Sequence, residues 1–375
     1  MKYEFIKSDT HLADVCKTLH RQEAIGVDLE ADAMYCFKDK ICLIQIATET
    51  EAFLLDPFVL EDLSAFFDVL ADPSVVKIFH GADFDVRSLD RDYGARISGL
   101  FDTEIACRFL GVKERGLAAL LKTYFDVTAN KKFQKVDWAQ RPLKQEMIEY
   151  SVLDVAYLTR LCRLLSSELT GRDRLSWAAE EFEIQEQVRF EHNDTRPLFV
   201  RFKGAGRLDN RTLAVLENLL ELRIDIAQKK DRPLFKILSN QALMTLACEK
   251  PDSVKQMMAL GALSQRQAQM YGEQCKEAII AGLELPHKAL PAYPRTRRPR
   301  KDPRVMKRIK ALKKMRESLS QKMGIEPGVL LNNNLITAIA VEAPDSAAHL
   351  GEIDMIRKWQ VSALGDAILS TVQGL

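Results

Sequence analysis

Shifted by 93 positions, the carboxy-terminal part of this chain aligns with itself without a gap, residues 223–280 falling on residues 316–373. Arg223 meets Arg316, Gln228 and Lys229 meet Gln321 and Lys322, Asn240 meets Asn333, Pro251-Asp252-Ser253 meets Pro344-Asp345-Ser346, and Gly272 meets Gly365. Apolar positions keep step: Leu243 with Ile336, Leu246 with Ile339, Leu260 with Ile353, Ile279 with Val372. Self-similarity of this kind means one supersecondary unit used twice. Amphipathic runs broken at Pro233 and Pro251, or at Pro327 and Pro344, predict several short helices per copy. Everything before the first copy must then form a core of its own. The patterns place that domain at 1–195, the helical copies at 208–285 and 303–375, and a basic linker at 286–302.

Composition limits the class. A chain with 47% hydrophobic and 29% charged residues is that of a soluble globular protein. Seven cysteines, an odd number without a CxxC pair, argue for free thiols in a reducing compartment. No apolar run approaches the ~18 residues of a membrane span, and the opening MKYEFIKSDT lacks the apolar core of a signal peptide. A cytoplasmic protein with no membrane partner is the expectation. The net charge of +1 conceals a strongly biased stretch: residues 295–314 hold eleven basic side chains and one acidic, Asp302. Such a run, with Arg297, Arg298 and Arg300 near its amino-terminal end, suits phosphate contact that weakens with added salt.

The amino-terminal domain reads as strands first, then strand-helix alternation, which predicts a mixed α/β sheet. Strands are expected near Tyr3–Ile6, Ile25–Glu30, Ile41–Thr48, Ala52–Asp56 and Val75–Gly81, the second to fourth as an antiparallel meander. Helices are expected at about Thr10–Gln22 with Leu12, Val15, Cys16 and Leu19 inward, at Leu60–Leu70, from Asp83, at Phe101–Leu110 and at Leu117–Tyr124. A long helix is expected from Pro142 to about Leu169.

Acidic residues break these patterns where leucine would be expected. In Ile25–Glu30 the two-residue period sends Ile25, Val27 and Leu29 to one face and Asp28 and Glu30 to the other. Two carboxylates one pleat apart repel unless the face is solvated or a cation sits between them. Asp154 occupies an inward slot of the long helix, with Tyr150 one turn away on the same face. Burying it unpaired costs several kcal/mol, so an arginine, capping amides or a metal is required nearby. After HGA, Asp83 suits an N-cap and Asp85 a first-turn carboxylate complementing the helix dipole. His80 suits the turn. In the loop Asn130–Pro142, Lys131, Lys132, Lys135 and Arg141 surround Phe133 and Trp138, a pattern suited to phosphates and stacked bases or to a solvated loop anchored by its one tryptophan.

The stretches VDLEAD, KIFHGADFDVRSL and YSVLDVAYL, in this order, resemble the three motifs of the DEDD exonuclease superfamily in its tyrosine-bearing branch. The likeness is greatest to the ribonuclease D family, and the segment LLELRIDIAQKKDRPLFKILSNQALMTLA resembles its HRDC domain. The resemblance implies a ribonuclease H-like α/β exonuclease domain followed by two all-α HRDC domains. It selects Asp85 over Asp83, and implies Asp28, Glu30, Asp85 and Asp154 as ligands of two divalent ions, Mg²⁺ or Mn²⁺, with Tyr150 beside the attacking water. It further implies a 3'-to-5' exoribonuclease, expected to be monomeric, acting on tRNA precursors and other structured RNAs with 3' extensions. The residues alone leave open a DNA-directed exonuclease and a non-catalytic RNA-binding scaffold.

Overall fold

β-Branched and aliphatic runs separated by short polar turns build a six-stranded sheet at the amino-terminal end. In the computed structural model, which describes residues 1–191, 197–294 and 302–374, the strands are β1 (Lys2–Ile6), β2 (Ala24–Ala31), β3 (Ile41–Ala47), β4 (Glu51–Leu55), β5 (Val76–Phe79) and β6 (Leu100–Asp102). Their order is β1-β4-β3-β2-β5-β6. Strands β2, β3 and β4 form the expected antiparallel meander, while β1 lies parallel to β4, β5 parallel to β2 and β6 parallel to β5. The chain thus leaves β2 in one direction along the sheet and β5 in the other. Such a reversal opens a crevice beyond the carboxyl ends of the two strands.

Helices α1 (Asp9–Leu19), α2 (Ser64–Ala71), α3 (Asp83–Tyr93), α4 (Thr103–Leu110), α5 (Leu117–Phe125), α6 (Gln145–Ala156), α7 (Leu158–Thr170) and α8 (Leu175–Glu186) flank the sheet. Leu12, Val15, Cys16 and Leu19 of α1 are buried as the 3.6-residue period required. Two expectations fail here. The residues from Phe101 begin as strand β6, because three residues joined edge-on to β5 carry no period of their own. The long helix from Pro142 is two helices: α6 starts only at Gln145, and Tyr157, at φ −113° and ψ −3°, separates it from α7. The junction presses on β2, where a Cβ on Gly26 would stand 2.9 Å from Leu158 Cβ and 3.1 Å from the Val155 carbonyl. Only glycine lets the backbones approach so closely.

The two helical copies follow with the same spacing throughout. The first consists of α9 (Asn210–Lys230), α10 (Leu234–Ile237), α11 (Asn240–Glu249), α12 (Val254–Ala259) and α13 (Gln265–Glu284); the second of α14 (Pro303–Met323), α15 (Pro327–Leu330), α16 (Asn333–Glu342), α17 (Ala347–Gly351) and α18 (Lys358–Gln373). Two compact units result. One holds the sheet, its helices through residue 190 and the second copy; the other holds the first copy together with the loop 32–40.

In the first unit the second copy shares a core with the sheet domain. Trp359 stacks on Trp177 at 5.0 Å and meets Phe109 edge-on at 5.3 Å. Around this apolar centre, Arg357 pairs with Glu181 at 3.0 Å and Arg115 with Glu326 at 2.7 Å. In the second unit Leu213, Leu216, Leu243, Leu246 and Ile279 make the core of the first copy. Among the described residues no helix is long and apolar enough to cross a membrane.

Candidate active site

The crevice at the carboxyl ends of β2 and β5 collects the acidic residues. Strand β2 directs Asp28 and Glu30 to one face, and α6 lays Tyr150 and Asp154 across it. One carboxylate oxygen from each of Asp28, Glu30 and Asp154 lies within 4.8 Å of the others. Asp85 stands outside that closest set, in the buried first turn of α3, near enough for its charge to act on both Asp28 and Glu30. None of the four is in an ion pair with lysine, arginine or histidine among the described residues. The alternatives for Asp154, an arginine or capping amides, are therefore not what the site supplies.

Burial without a counter-charge favours the neutral acid. Glu30 is pushed up to about 9, first by burial and then by Asp154 and Asp85. Asp85 rises to about 8 through burial and the neighbouring Asp102. Burial brings Asp154 to about 7 against the opposing hydrogen bond from Tyr150. Asp28 is raised well above the usual carboxylate range, by burial and then Asp154, Asp85 and Glu30. Four oxygen-bearing groups that resist ionisation together are the donor set that hard divalent cations prefer. The residues present fit such ions.

Tyr150 donates its hydroxyl proton to Asp154, and burial plus the surrounding carboxylates raise its pKa far above that of an ordinary phenol. Its ring is held by Phe133, at 5.8 Å, and Trp138, at 6.1 Å. The sequence left two uses open for the loop that carries them, bases stacked on its rings or a solvated loop anchored by its tryptophan. With Trp138 only 1% and Phe133 8% exposed, both rings are core residues that fix Tyr150. Arg141 is likewise structural, forking onto Asp56 at 2.6 and 2.9 Å and donating to the Cys42 carbonyl at 2.7 Å.

Asp83 and Asp85 differ in exposure, Asp85 being buried. Asp83 is not the N-cap, a place taken by Ala82; it is exposed and pairs with Arg87. The residue that secures this turn is Asp102, whose buried carboxylate accepts from the amides of Gly81, Ala82, Glu104 and Ile105 and so joins the starts of α3 and α4. An aspartate directly before Thr103-Glu104 is a helix-start signal that a closer reading for N-caps would have flagged. Gln45 was also missed. It stands opposite Asp28 in the β2–β3 register, and both its amide atoms are buried without a partner among the described residues.

A cleft of about 660 Å³ opens over the carboxylates, bounded also by His80, by Gly116–Ala119 at the start of α5, and by Asn130 and Gln134. Thr103 gives its hydroxyl proton to the Phe79 carbonyl, so the 2.9 Å contact with His80 is a bond from Nδ1–H to Thr103 Oγ1. Burial lowers the His80 pKa, leaving a neutral ring with Nε2 as acceptor.

Residues 3–170 match a family model described as 3'-5' exonuclease, and residues 212–279 and 306–372 each match that of the HRDC domain. Ribonuclease D of Pseudomonas paraeruginosa is 26% identical over 373 residues, spanning 99% of this chain and 97% of that protein. The crystal structure of Escherichia coli RNase D, described as an exoribonuclease involved in structured RNA processing, superposes with a TM-score of 0.74 at 25% identity, covering 100% of this chain and 99% of that one. The chain belongs to the ribonuclease D family. Its enzymatic class is 3'-to-5' exoribonuclease. Exosome complex component 10 of Homo sapiens is 30% identical over 264 residues, which span 68% of this chain but 30% of that protein.

The ribonuclease D architecture accounts for the sheet domain and both helical copies, but not for the basic residues singled out in the sequence. Lys132 is exposed, lies 5.3 Å from the Phe133 ring and 3.5 Å from Glu146, and Lys135 is exposed on the same loop. The side chain of Lys131 falls outside the described residues, as do Arg297, Arg298 and Arg300.

Proposed function

We propose that this protein trims 3' ends of structured RNA, tRNA precursors among them, by hydrolysing phosphodiesters and releasing 5'-mononucleotides. The observation that carries the reading is the cluster of Asp28, Glu30 and Asp154, backed by Asp85 and facing Tyr150, with no neutralising cation among the described residues. Two divalent cations, Mg²⁺ or Mn²⁺, held by these four carboxylates would supply hydroxide near neutral pH and offset charge on the attacking and leaving oxygens. Tyr150 stays protonated at pH 7 and so does not take up a proton; with its own proton directed at Asp154, its hydroxyl oxygen accepts a hydrogen bond from the attacking water and orients it. Phe133 and Trp138 hold that phenol in place. Asp102 holds the turn that sets Asp85. Lys132 and Lys135, with Lys131, border the approach of the RNA strand, and Arg297, Arg298 and Arg300 add salt-sensitive phosphate contact. The protein works as a monomer in the cytoplasm.

The test is release of mononucleotides from a 3'-labelled tRNA precursor and from matched single-stranded DNA, with Mg²⁺, with Mn²⁺ and with chelator, for wild type and Asp28→Asn. Metal-dependent loss of label from RNA, abolished by the substitution, is the expected result. Equal release from both polymers would remove the RNA preference, and RNA binding without release would leave a scaffold.

A further inference from the structure

Strand β3 lies inside the sheet, between β2 and β4, and all seven of its residues are buried. A strand covered on both faces takes apolar side chains, and Ile41, Cys42, Leu43, Ile44, Ile46 and Ala47 are such residues. The remaining one is Gln45, 0% exposed. Its Nε2 and Oε1 both lack a partner among the described residues. Burying a carboxamide with both ends unbonded costs stability that a leucine or methionine in the same place would not. Places where a local rule is broken at such a cost are where function is expected.

The strand register says which group is concerned. Gly26, Asp28 and Glu30 of β2 stand opposite Ala47, Gln45 and Leu43 of β3. Side chains opposite one another in a strand pair leave on the same side of the sheet, with Cβ atoms about 4.5–5.5 Å apart. Gly26 identifies the side. A Cβ there would meet Leu158 and the Val155 carbonyl, so this is the face covered by α6 and α7. Gln45 is therefore directly beside Asp28, beneath the helix that carries Tyr150 and Asp154.

A carboxylate that ligates a cation is oriented by the donors that its other lone pairs accept from. Asp28 accepts from the Leu29 amide, and the charged groups that act on it, Asp154, Asp85 and Glu30, are all acids. A lysine or arginine at position 45 would supply a donor but cancel the charge that attracts a divalent ion. A glutamate there would add a fifth acid. A carboxamide donates without changing the charge, and with neither end bonded its last torsion is free to turn.

We propose that Gln45 is a positioning residue for the reaction: its Nε2 donates to the Asp28 carboxylate and holds it at the rotation in which it ligates a divalent cation. This rests on Asp28 being such a ligand, and adds the group that orients it.

The experiment compares Gln45→Met and Gln45→Asn in the full chain by two readouts, urea melts in chelator and Mn²⁺ titration by calorimetry without RNA. Methionine nearly matches glutamine in volume and has no donor; asparagine is one methylene shorter and keeps the amide. Packing alone makes Gln45→Met the more stable of the two. Positioning ranks them the other way for metal: Gln45→Met is expected to weaken Mn²⁺ binding at least about tenfold, and Gln45→Asn by no more than about threefold. The Mn²⁺ concentration for half-maximal release of mononucleotide from a labelled dinucleotide should rise by the same factors. Equal losses of metal affinity in the two variants, an affinity that simply follows stability, or a Gln45→Met chain that melts below Gln45→Asn overturns the proposal. Asp28→Asn separates it from the reading beneath it. Loss of Mn²⁺ binding in that variant, with wild-type binding in Gln45→Met, refutes the role of Gln45 and leaves the carboxylates as metal ligands. A wild type that binds no Mn²⁺ refutes both.

Discussion

Holding three or more carboxylates together without a cation makes the metal-free protein lose stability as pH rises. The sign follows from proton counting. In the folded state Asp154, Asp85 and Glu30 titrate near about 7, 8 and 9, with Asp28 raised as well. In the unfolded chain they ionise near about 4, so between pH 5 and 7 the folded state binds more protons and ΔG of unfolding falls. One retained proton costs about 1.4 kcal/mol per pH unit, hence about 3 kcal/mol over this window for the smallest retention the cluster permits. For a unit of this size that is a fall in Tm of roughly 6–10 °C. Carboxylates held low, such as Asp72 at about 2, have finished titrating and do not contribute in this window.

The assay is thermal melting followed by tryptophan fluorescence in chelator from pH 5 to 8. All of Trp138, Trp177 and Trp359 lie in the unit that contains the site, so the signal reports that unit. Glu30→Gln removes one ionisable member and relieves Asp28, and its stability curve is expected to be shallower by about 1.4 kcal/mol per pH unit. Millimolar Mg²⁺ is expected to reverse the wild-type slope, because binding to the ionised site adds RT ln(1 + [M]/Kd) to the folded state. Parallel curves for wild type and Glu30→Gln, with no greater Mg²⁺ effect at pH 8 than at pH 5, would refute the reasoning.

Tyr150→Phe keeps the packing against Phe133 and Trp138 and deletes the hydroxyl; kcat is expected to fall roughly 10–100-fold with RNA affinity unchanged, read by single-turnover kinetics. Gly26→Ala forces the α6–α7 junction off β2 and should cost about 1–3 kcal/mol in urea melts and a larger share of activity, since Asp154 moves with the junction. Gln45→Met relieves two unpartnered buried amide atoms and is expected to stabilise the fold by about 1 kcal/mol. That gain beside weaker Mn²⁺ binding is what a carboxamide that orients Asp28 requires. Trp359→Ala opens the seam between the second helical copy and α4 and α8, with an expected loss of about 3–5 kcal/mol in the fluorescence-detected transition.

Patterns with a short or fixed period were readable in the chain. Alternation in Ile25–Glu30 placed Asp28 and Glu30 on one face, the helical period put Tyr150 and Asp154 on another, and the 93-residue shift announced two like helical copies. Each depends on residues a few positions apart or on literal recurrence, and neither needs a folded partner to be seen. The aromatic loop stayed open between base stacking and a tryptophan anchor because composition does not report depth. Phe133 and Trp138 have the rings that stack on bases, but burial against Tyr150 was the lower-energy use of them.

The remainder depended on contacts between distant segments. The break at Tyr157 arises where α6 and α7 press on Gly26, more than a hundred residues earlier, and β6 is a strand only because β5 supplies its hydrogen bonds. Sequence also made the two helical copies nearly interchangeable in backbone. Packing then separated them: Trp359 closed one copy's last helix against Trp177 and Glu180, while at the matching place the other copy carries Arg266 beside Lys230 and Lys236. Local periodicity specifies which elements form and which way their side chains face. The free energy that decides which faces meet comes from burying surfaces far apart in the chain, and becomes defined only once they are brought together.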